Sequence, residues 1–284
     1  MKIAGIGDNV IDRYLNYGVI FPGGNAVNVA AHAAKLGAEA AYIGSIGADR
    51  EGSIIKKALE SLGVDLSQCI FEPGTTTKRC DVNVYHGERE YLGMDTGKNW
   101  AHILSIRPQD VEYLKDFHVI HTSCNAKIHK ELYKLKDLKA MVTFDFSEKE
   151  KYRTRGFLSS VCPFLELGQF SCDGTEEKEI KRLLCLAHDL GCRNVIATMG
   201  GKGQIFFNGD EFTAGRACYV EALDTMGAGD SFLAALLVSL LGNGWKKGRR
   251  IPGDVVKKGL REASEYSAAN CMSEGGFGFK NTLS

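Results

Sequence analysis

The sequence predicts an α/β protein built on a mostly parallel sheet with helices on both faces. Three observations carry this. Short apolar or β-branched runs alternate with longer amphipathic or small-residue segments through most of the 284 residues. Gly37 and Gly63 stand just past two of the helical segments, where a helix commonly ends. Two stretches with strand chemistry, 11–21 and 78–92, have no helix after them and form no part of that alternation.

The elements follow in order. Residues 3–6 read as a buried strand, 24–36 as a small-residue helix, 40–46 as a strand and 51–62 as an amphipathic helix. Strands are expected at 119–123 and 141–146, with a Lys-rich helix at 128–138 between them. A helix at 175–190 precedes a strand at 194–198. Asn208-Gly209-Asp210 joins strands at 204–207 and 211–214 as a hairpin, since Asn-Gly suits a tight turn. Helices at 228–241 and 254–271 close the sequence pattern. The two unaccompanied stretches, with a turn at 85–89, read as a small separate sheet. An open α/β sheet binds ligands at the carboxyl ends of its strands, and a flap of strands there acts as a lid. No linker separates independent domains, so the chain reads as one domain, 1–284, with lid strands from about 11–22 and 70–100.

Composition narrows the partners. With 44% hydrophobic and 25% charged residues the chain has ample material for a core. Lys+Arg and Asp+Glu are 35 each, so no net field attracts nucleic acid or an anionic membrane. The longest apolar run, 232–241, is too short to span a bilayer. The first eight residues already hold an acid and no long apolar stretch, which does not read as a signal peptide. Nine cysteines, an odd number without C-x-x-C spacing, argue for reduced thiols and a cytoplasmic protein. The seven histidines show no paired ligand spacing, so no protein-bound transition metal is expected.

The strongest chemical signal is Asp224-Thr225-Met226-Gly227-Ala228-Gly229-Asp230-Ser231, followed at once by an apolar helix. Glycines let a ligand approach the main chain, and a helix N-terminus offers unpaired N–H groups and a positive dipole end. Asp230 places a carboxylate beside that anion site, although Asp230 or Ser231 could serve only as a helix cap. In Gly23-Gly24-Asn25-Ala26-Val27-Asn28, two amide side chains three residues apart share one helix face and suit sugar hydroxyls. Their alternative is capping by Asn25 and a solvent-facing Asn28. Gly7-Asp8-Asn9-Val10-Ile11-Asp12 puts two carboxylates past the first strand, where they could bind hydroxyls bidentately; turn chemistry is the alternative. Thr198-Met199-Gly200-Gly201-Lys202-Gly203 is a glycine-rich turn after a strand. No third glycine completes a G-x-G-x-x-G after Gly5 and Gly7, and no G-x-x-x-x-G-K-[ST] occurs, so phosphate chemistry here needs another solution.

These two signatures, the Gly23–Asn28 and Asp224–Asp230 stretches, resemble those of the ribokinase-like (PfkB-type) carbohydrate kinases. The resemblance covers essentially the whole chain. It implies a three-layer α/β/α sandwich with a β-strand lid, and ATP-dependent phosphorylation of a sugar hydroxyl. It implies Asp230 as the base and the backbone of Gly227, Ala228 and Gly229 as the anion hole. Asp12, Gly24, Asn25 and Asn28 would hold the sugar. Thr198, Gly200 and Gly203 would lie along ATP, and Asn270 and Gly275 would border its adenine. Mg²⁺ would be held through water by Glu176, in a stretch that reads Asp173-Gly174-Thr175-Glu176 where the family often has N-x-x-E. The resemblance leaves room for a monovalent cation and for a homodimer through the lid strands. Gly7-Asp8-Asn9 with Asp12, the Gly23–Ala30 and Asp224–Phe232 stretches, and Phe144-Asp145-Phe146-Ser147 are together similar to the branch of the family acting on the 6-hydroxyl of fructoselysine. Ribose, nucleoside or other sugar kinases of the family, or a non-catalytic sugar- or nucleotide-binding regulator on this fold, stay open. Arg13, Arg79, Glu88 and Arg89 are candidates for a lysyl arm only through their place in lid-like segments; solvated surface charge is the simpler reading.

Overall fold

A computed structural model of the chain describes residues 1–85, 88–97 and 104–283. In chain order the elements are β1 (Lys2–Ile6), β2 (Val10–Tyr14), β3 (Val19–Gly23), α1 (Asn25–Lys35), β4 (Glu39–Ile43), β5 (Ser45–Gly47) and α2 (Arg50–Ser61). Then come β6 (Ile70–Glu72), β7 (Arg79–Tyr85), β8 (Glu88–Asp95), α3 (Pro108–Tyr113), β9 (Val119–Ser123), β10 (Met141–Asp145), α4 (Arg155–Val161) and β11 (Leu167–Ser171). The last are α5 (Glu177–Asp189), β12 (Asn194–Thr198), β13 (Gln204–Phe207), β14 (Phe212–Gly215), α6 (Ala228–Gly242), α7 (Gly253–Asn270) and β15 (Asn281–Thr282).

Eight strands form the main sheet in the order β14-β13-β12-β11-β10-β9-β1-β4. The six from β12 to β4 run parallel, and β13 and β14 turn back as an antiparallel edge. β9 and β10 are buried at every position, because helices cover both faces. One core packs α1, α2, α6 and α7 against the sheet, through residues such as Val27, Ile55, Leu236 and Leu260. The other packs α4, α5 and the segment around Leu132 and Leu135 against the opposite face, through Leu158 and Leu184. The result is an α/β/α sandwich. Helix α6 is apolar almost all round and lies in the core, as such a helix must. Among the described residues no helix is long and apolar enough to cross a membrane.

A second sheet has the order β15-β3-β2-β7-β8, with β2 and β7 parallel and the other pairs antiparallel. Its inner face carries Val10, Tyr14, Phe21, Cys80, Val82 and Val84, which pack on Met226 in the loop before α6. That contact fixes the small sheet over one edge of the large one.

Two expected elements differ. The strand expected at 40–46 stops at Ile43; beyond Gly44 the chain leaves the main sheet, and β5 pairs with β6 instead. Gly44 is the pivot, its carbonyl accepting from the Ile70 N–H at 2.9 Å. The Lys-rich segment is a 3₁₀-helix, His129–Leu135, rather than an α-helix. Its buried Leu132, Leu135 and Leu138 recur every three residues, the period of the tighter coil. Of the expected turn at 85–89, residues 86 and 87 lie outside the described residues.

Candidate active site

The carboxyl ends of β1, β9 and β10 meet the N-termini of α1 and α6 beneath the small sheet. β1 brings the chain to Asp8, β2 carries Asp12, β10 ends on Asp145, and α6 opens with Asp230 in its first turn. Helix α1 presses directly on β1: a Cβ at Gly5 would lie 2.3 Å from the Ala26 carbonyl oxygen. The first turn of α1 is thereby held in place, and with it Asn25 and Asn28.

Asn28 donates from Nδ2 to Oδ2 of Asp230 at 2.6 Å. Asn25 donates to Oδ1 of Asp230 at 2.6 Å and, from the same nitrogen, to Oδ2 of Asp145 at 2.8 Å. An amide nitrogen facing two carboxylates can only donate, so Oδ1 of Asn25 faces the other way, 2.7 Å from Nε2 of His121. That carbonyl can only accept, so Nε2 of His121 carries the proton and Nδ1 accepts from the Thr143 hydroxyl at 2.9 Å. Burial lowers the His121 pKa to about 3, which keeps the ring neutral and this pattern intact. Both oxygens of Asp230 are therefore aimed by amide donors on one helix face.

Charge is concentrated here without full compensation. Desolvation raises Asp230 to about 6, against the hydrogen bonds from Asn28 and Asn25 that pull it down. Burial raises Asp145 to about 7, and the charge of Asp230 adds to the rise. Asp12, 5% exposed, is raised by burial to about 7, while Arg89 and Lys78 pull it back. The Asp12 carboxylate makes no side-chain hydrogen bond to any described residue, so it can accept from a ligand's hydroxyls. Lys78 is committed to Asp8 at 2.9 Å. The hydroxyl of Tyr14 donates to Oδ2 of Asp224 at 2.5 Å, the Gly275 N–H donates to the same oxygen at 2.7 Å, and the Met226 N–H donates to its Oδ1. Asp224 thus ties the small sheet to the loop that leads into α6.

Gly227 precedes α6 at φ 70°, and no side chain caps the helix. A Cβ there would lie 2.7 Å from the Gly276 carbonyl oxygen, so glycine is required on two counts. On the far side of this turn opens a cavity of about 450 Å³, lined among others by Thr198, Gly200, Ala228, Gly229 and Ser267. The open N–H end of α6 and the cavity together suit a phosphate-bearing ligand. A family model described as pfkB family carbohydrate kinase matches residues 9–145 and 166–277.

The chain belongs to the pfkB family of carbohydrate kinases.

This kinase is 32% identical over 283 residues to the protein named fructosamine kinase FrlD of Bacillus subtilis (strain 168), covering 98% of this chain and 94% of that one. It is 29% identical over 255 residues to fructoselysine 6-kinase of Escherichia coli (strain K12), covering 90% and 93%. Among solved structures, the aminoimidazole riboside kinase from Salmonella enterica, complexed with aminoimidazole riboside and an ATP analogue, superposes with a TM-score of 0.79. That pair is 21% identical, covering 100% of this chain and 97% of the other. Ribokinase from Giardia lamblia gives a TM-score of 0.80 at 19% identity, covering 99% and 96%. The expected ribokinase-like fold is therefore the fold of this kinase.

The kinase joins Asn25 and Asn28 to Asp230 by hydrogen bonds and brings Asp12 near enough for the Asp230 charge to act on it, with Gly24 as the residue before α1. Thr198 and Gly200 line the neighbouring cavity with Ala228 and Gly229. Gly203 packs against Gly215, Asn270 donates to the Gly276 carbonyl at 3.2 Å, and the Gly275 N–H is held by Asp224. None of these three lines that cavity. Glu176 stands exposed before α5, beside a shallow groove with Lys181 and Phe212. Asp173 is nearer the phosphate side: its carboxylate carbon would lie 3.5 Å from a Cβ at Gly200. Sequence reasoning did not single out His121, Asp145 as an acid of the site, or Asp224 as a tie. The signal for Asp145 was an acid ending a buried strand, the position where open α/β sheets place ligand contacts.

Proposed function

We propose that this kinase transfers the γ-phosphoryl group of ATP to the 6-hydroxyl of fructoselysine, with Mg²⁺ as the accompanying ion. The observation that carries the reading is Asp230, aimed by Asn25 and Asn28, standing between an acidic cleft and the phosphate-suited cavity. The choice of acceptor is supported by similarity across nearly the whole chain to proteins named for fructosamine and fructoselysine.

In this reading Asp230 accepts the proton of the 6-hydroxyl as that oxygen bonds to the γ-phosphorus and the bond to ADP breaks. A pKa raised toward the working pH suits a general base. The main-chain N–H groups of Gly227 and Gly229, joined by that of Ala228 once it leaves the Thr225 carbonyl it meets at 3.2 Å, bind the charge that develops on the phosphoryl oxygens. Asp12 and Asn28 accept hydrogen bonds from the sugar hydroxyls, for the Asn28 Oδ1 is a buried acceptor without a partner among the described residues. Thr198 and Gly200 flank the phosphates. Mg²⁺ would neutralise phosphate charge when bound; Asp173, beside Gly200, and the exposed Glu176 before α5 are the acids that would hold it through water. The small sheet serves as the lid, excluding water from the transfer. A homodimer through that sheet would cover its exposed Tyr17, Tyr85 and Met94.

A regulator that only binds sugar needs no base, so ADP release with sugars separates the two. The deciding experiment compares kcat/KM for fructoselysine, fructose, ribose, adenosine and fructose 6-phosphate. Fructoselysine is expected to lead. A preference for ribose or adenosine would overturn the acceptor and leave the kinase standing.

A further inference from the structure

The lid strands carry four charged residues that could meet an amino-acid arm. Arg13 is engaged on both sides by Asp81, at 2.5 and 2.7 Å. Arg79 is shared among Glu51, Asp49 and Asp95. The side chain of Glu88 lies outside the described residues. Arg89 differs. Its Nη1 lies 2.9 Å from the Met226 sulfur and 3.2 Å from the Tyr91 hydroxyl, and its guanidinium sits over the Tyr91 ring. Among the described residues no carboxylate is within ion-pair distance of it. These soft partners position a planar fork without neutralising it.

Its place is equally specific. Partners across an antiparallel pair point to the same side, and Val84 pairs with Arg89 as Val82 pairs with Tyr91. Val82 and Val84 are buried on the inner face, so Arg89 and Tyr91 face inward too. Asp12 pairs with Cys80 on the same β7 strand. From Cys80 to Val84 is four residues, about 13 Å of strand. Asp12 on β2 and Arg89 on β8 thus flank β7, their backbone positions offset by about that length along it, with the guanidinium near enough to the site for its charge to act on Asp12.

We infer that Arg89 binds the α-carboxylate of the lysyl arm and so selects the amino-acid adduct over the bare sugar. This rests on the acceptor proposed above. The guanidinium exchanges its thioether contact for a bidentate carboxylate contact, and the inward face of Tyr91 lies alongside the arm. A site built to pair such a group discriminates against analogues that lack it.

The test uses two Amadori compounds, fructoselysine and the fructose adduct of cadaverine, which keeps the arm and its terminal amine but lacks the carboxylate. For the wild type, kcat/KM is expected to favour fructoselysine at least tenfold, chiefly through KM. Arg89→Met is expected to bring the ratio near one. Arg89→Lys, a point charge without the fork, is expected to fall between, and serves if the Met variant does not fold. A wild type indifferent to the carboxylate, or an Arg89 variant that keeps the full ratio, overturns the inference while fructoselysine remains the leading acceptor. A wild type that prefers ribose or adenosine to both adducts overturns the acceptor and the inference together.

Discussion

Asn28 and Asp230 are 202 positions apart in the chain and share a 2.6 Å hydrogen bond. The bond joins the first turns of α1 and α6 and gives each residue its orientation. It also favours the charged form of Asp230 where desolvation opposes it. Removing either partner should therefore alter chemistry more than stability.

Asp230→Asn keeps the size of the side chain and removes its basicity. We expect kcat to fall by about two to four orders of magnitude, the range of a positioned general base. ATP affinity, measured by calorimetry, should change little. Near-normal turnover would remove Asp230 from the role.

The pH profile follows from the raised acids. Asp230 must be ionised to accept a proton, so kcat should fall as pH drops through about 6. Asp12, raised to about 7, must be ionised to accept from hydroxyls, so the acidic limb of kcat/KM should lie higher than that of kcat. Asn28→Ala deletes a bond that lowers the Asp230 pKa, and its kcat limb should move to higher pH. A limb unmoved in Asn28→Ala would count against Asp230 as the titrating base.

Asp12→Ala should raise the sugar KM about tenfold to a hundredfold, from roughly 1.5–3 kcal/mol for a charge-assisted hydrogen bond. ATP binding should be retained, and collapse of ATP affinity would mean that Asp12 is misassigned.

His121 acts through Asn25. His121→Leu leaves the Asn25 carbonyl buried without its donor and loosens the amide that orients Asp230. We expect about a tenfold loss in kcat and a destabilisation of roughly 1–3 kcal/mol, seen by urea unfolding. His121→Gln supplies an N–H and should restore part of kcat; equal losses in both variants would point to packing alone.

Gly227→Ala places a Cβ against the backbone of Gly276 at a positive φ. A cost of about 1–3 kcal/mol is expected for the strain alone. ATP KM should rise as well, since the turn that opens α6 must shift. A variant with wild-type Tm and ATP KM would show that the turn tolerates the change.

Much of this was legible in the sequence. Helices α1, α2, α5, α6 and α7 lie within a residue or two of where the sequence puts them: α2, α5 and α7 bury one stripe, α1 is rich in small residues and α6 is apolar almost all round. Strand β11 was not seen: Gly168 and Gln169 interrupt its apolar run, and they are there because Gln169 reaches the Gly229 carbonyl at 3.3 Å. Asp230 and the two asparagines were visible as local strings, whereas the bonds between them are tertiary. His121 sits mid-strand with no local pattern around it, and only the fold shows what it faces. Arg89 looked like surface charge because strand pairing, not composition, decides which way it points.

The lid sheet is assembled from three separate parts of the chain, 10–23, 79–95 and 281–282. Its β2–β3 and β7–β8 hairpins are local, but the parallel β2–β7 pairing spans α1, β4, β5, α2 and β6. Closing that loop costs entropy that only the finished main sheet recovers. The lid should therefore be the last region to acquire its structure as the chain folds and the first to open. Its amides should exchange with solvent well before those of β9 and β10, and competence to exclude water from the transfer should appear only at the end of refolding.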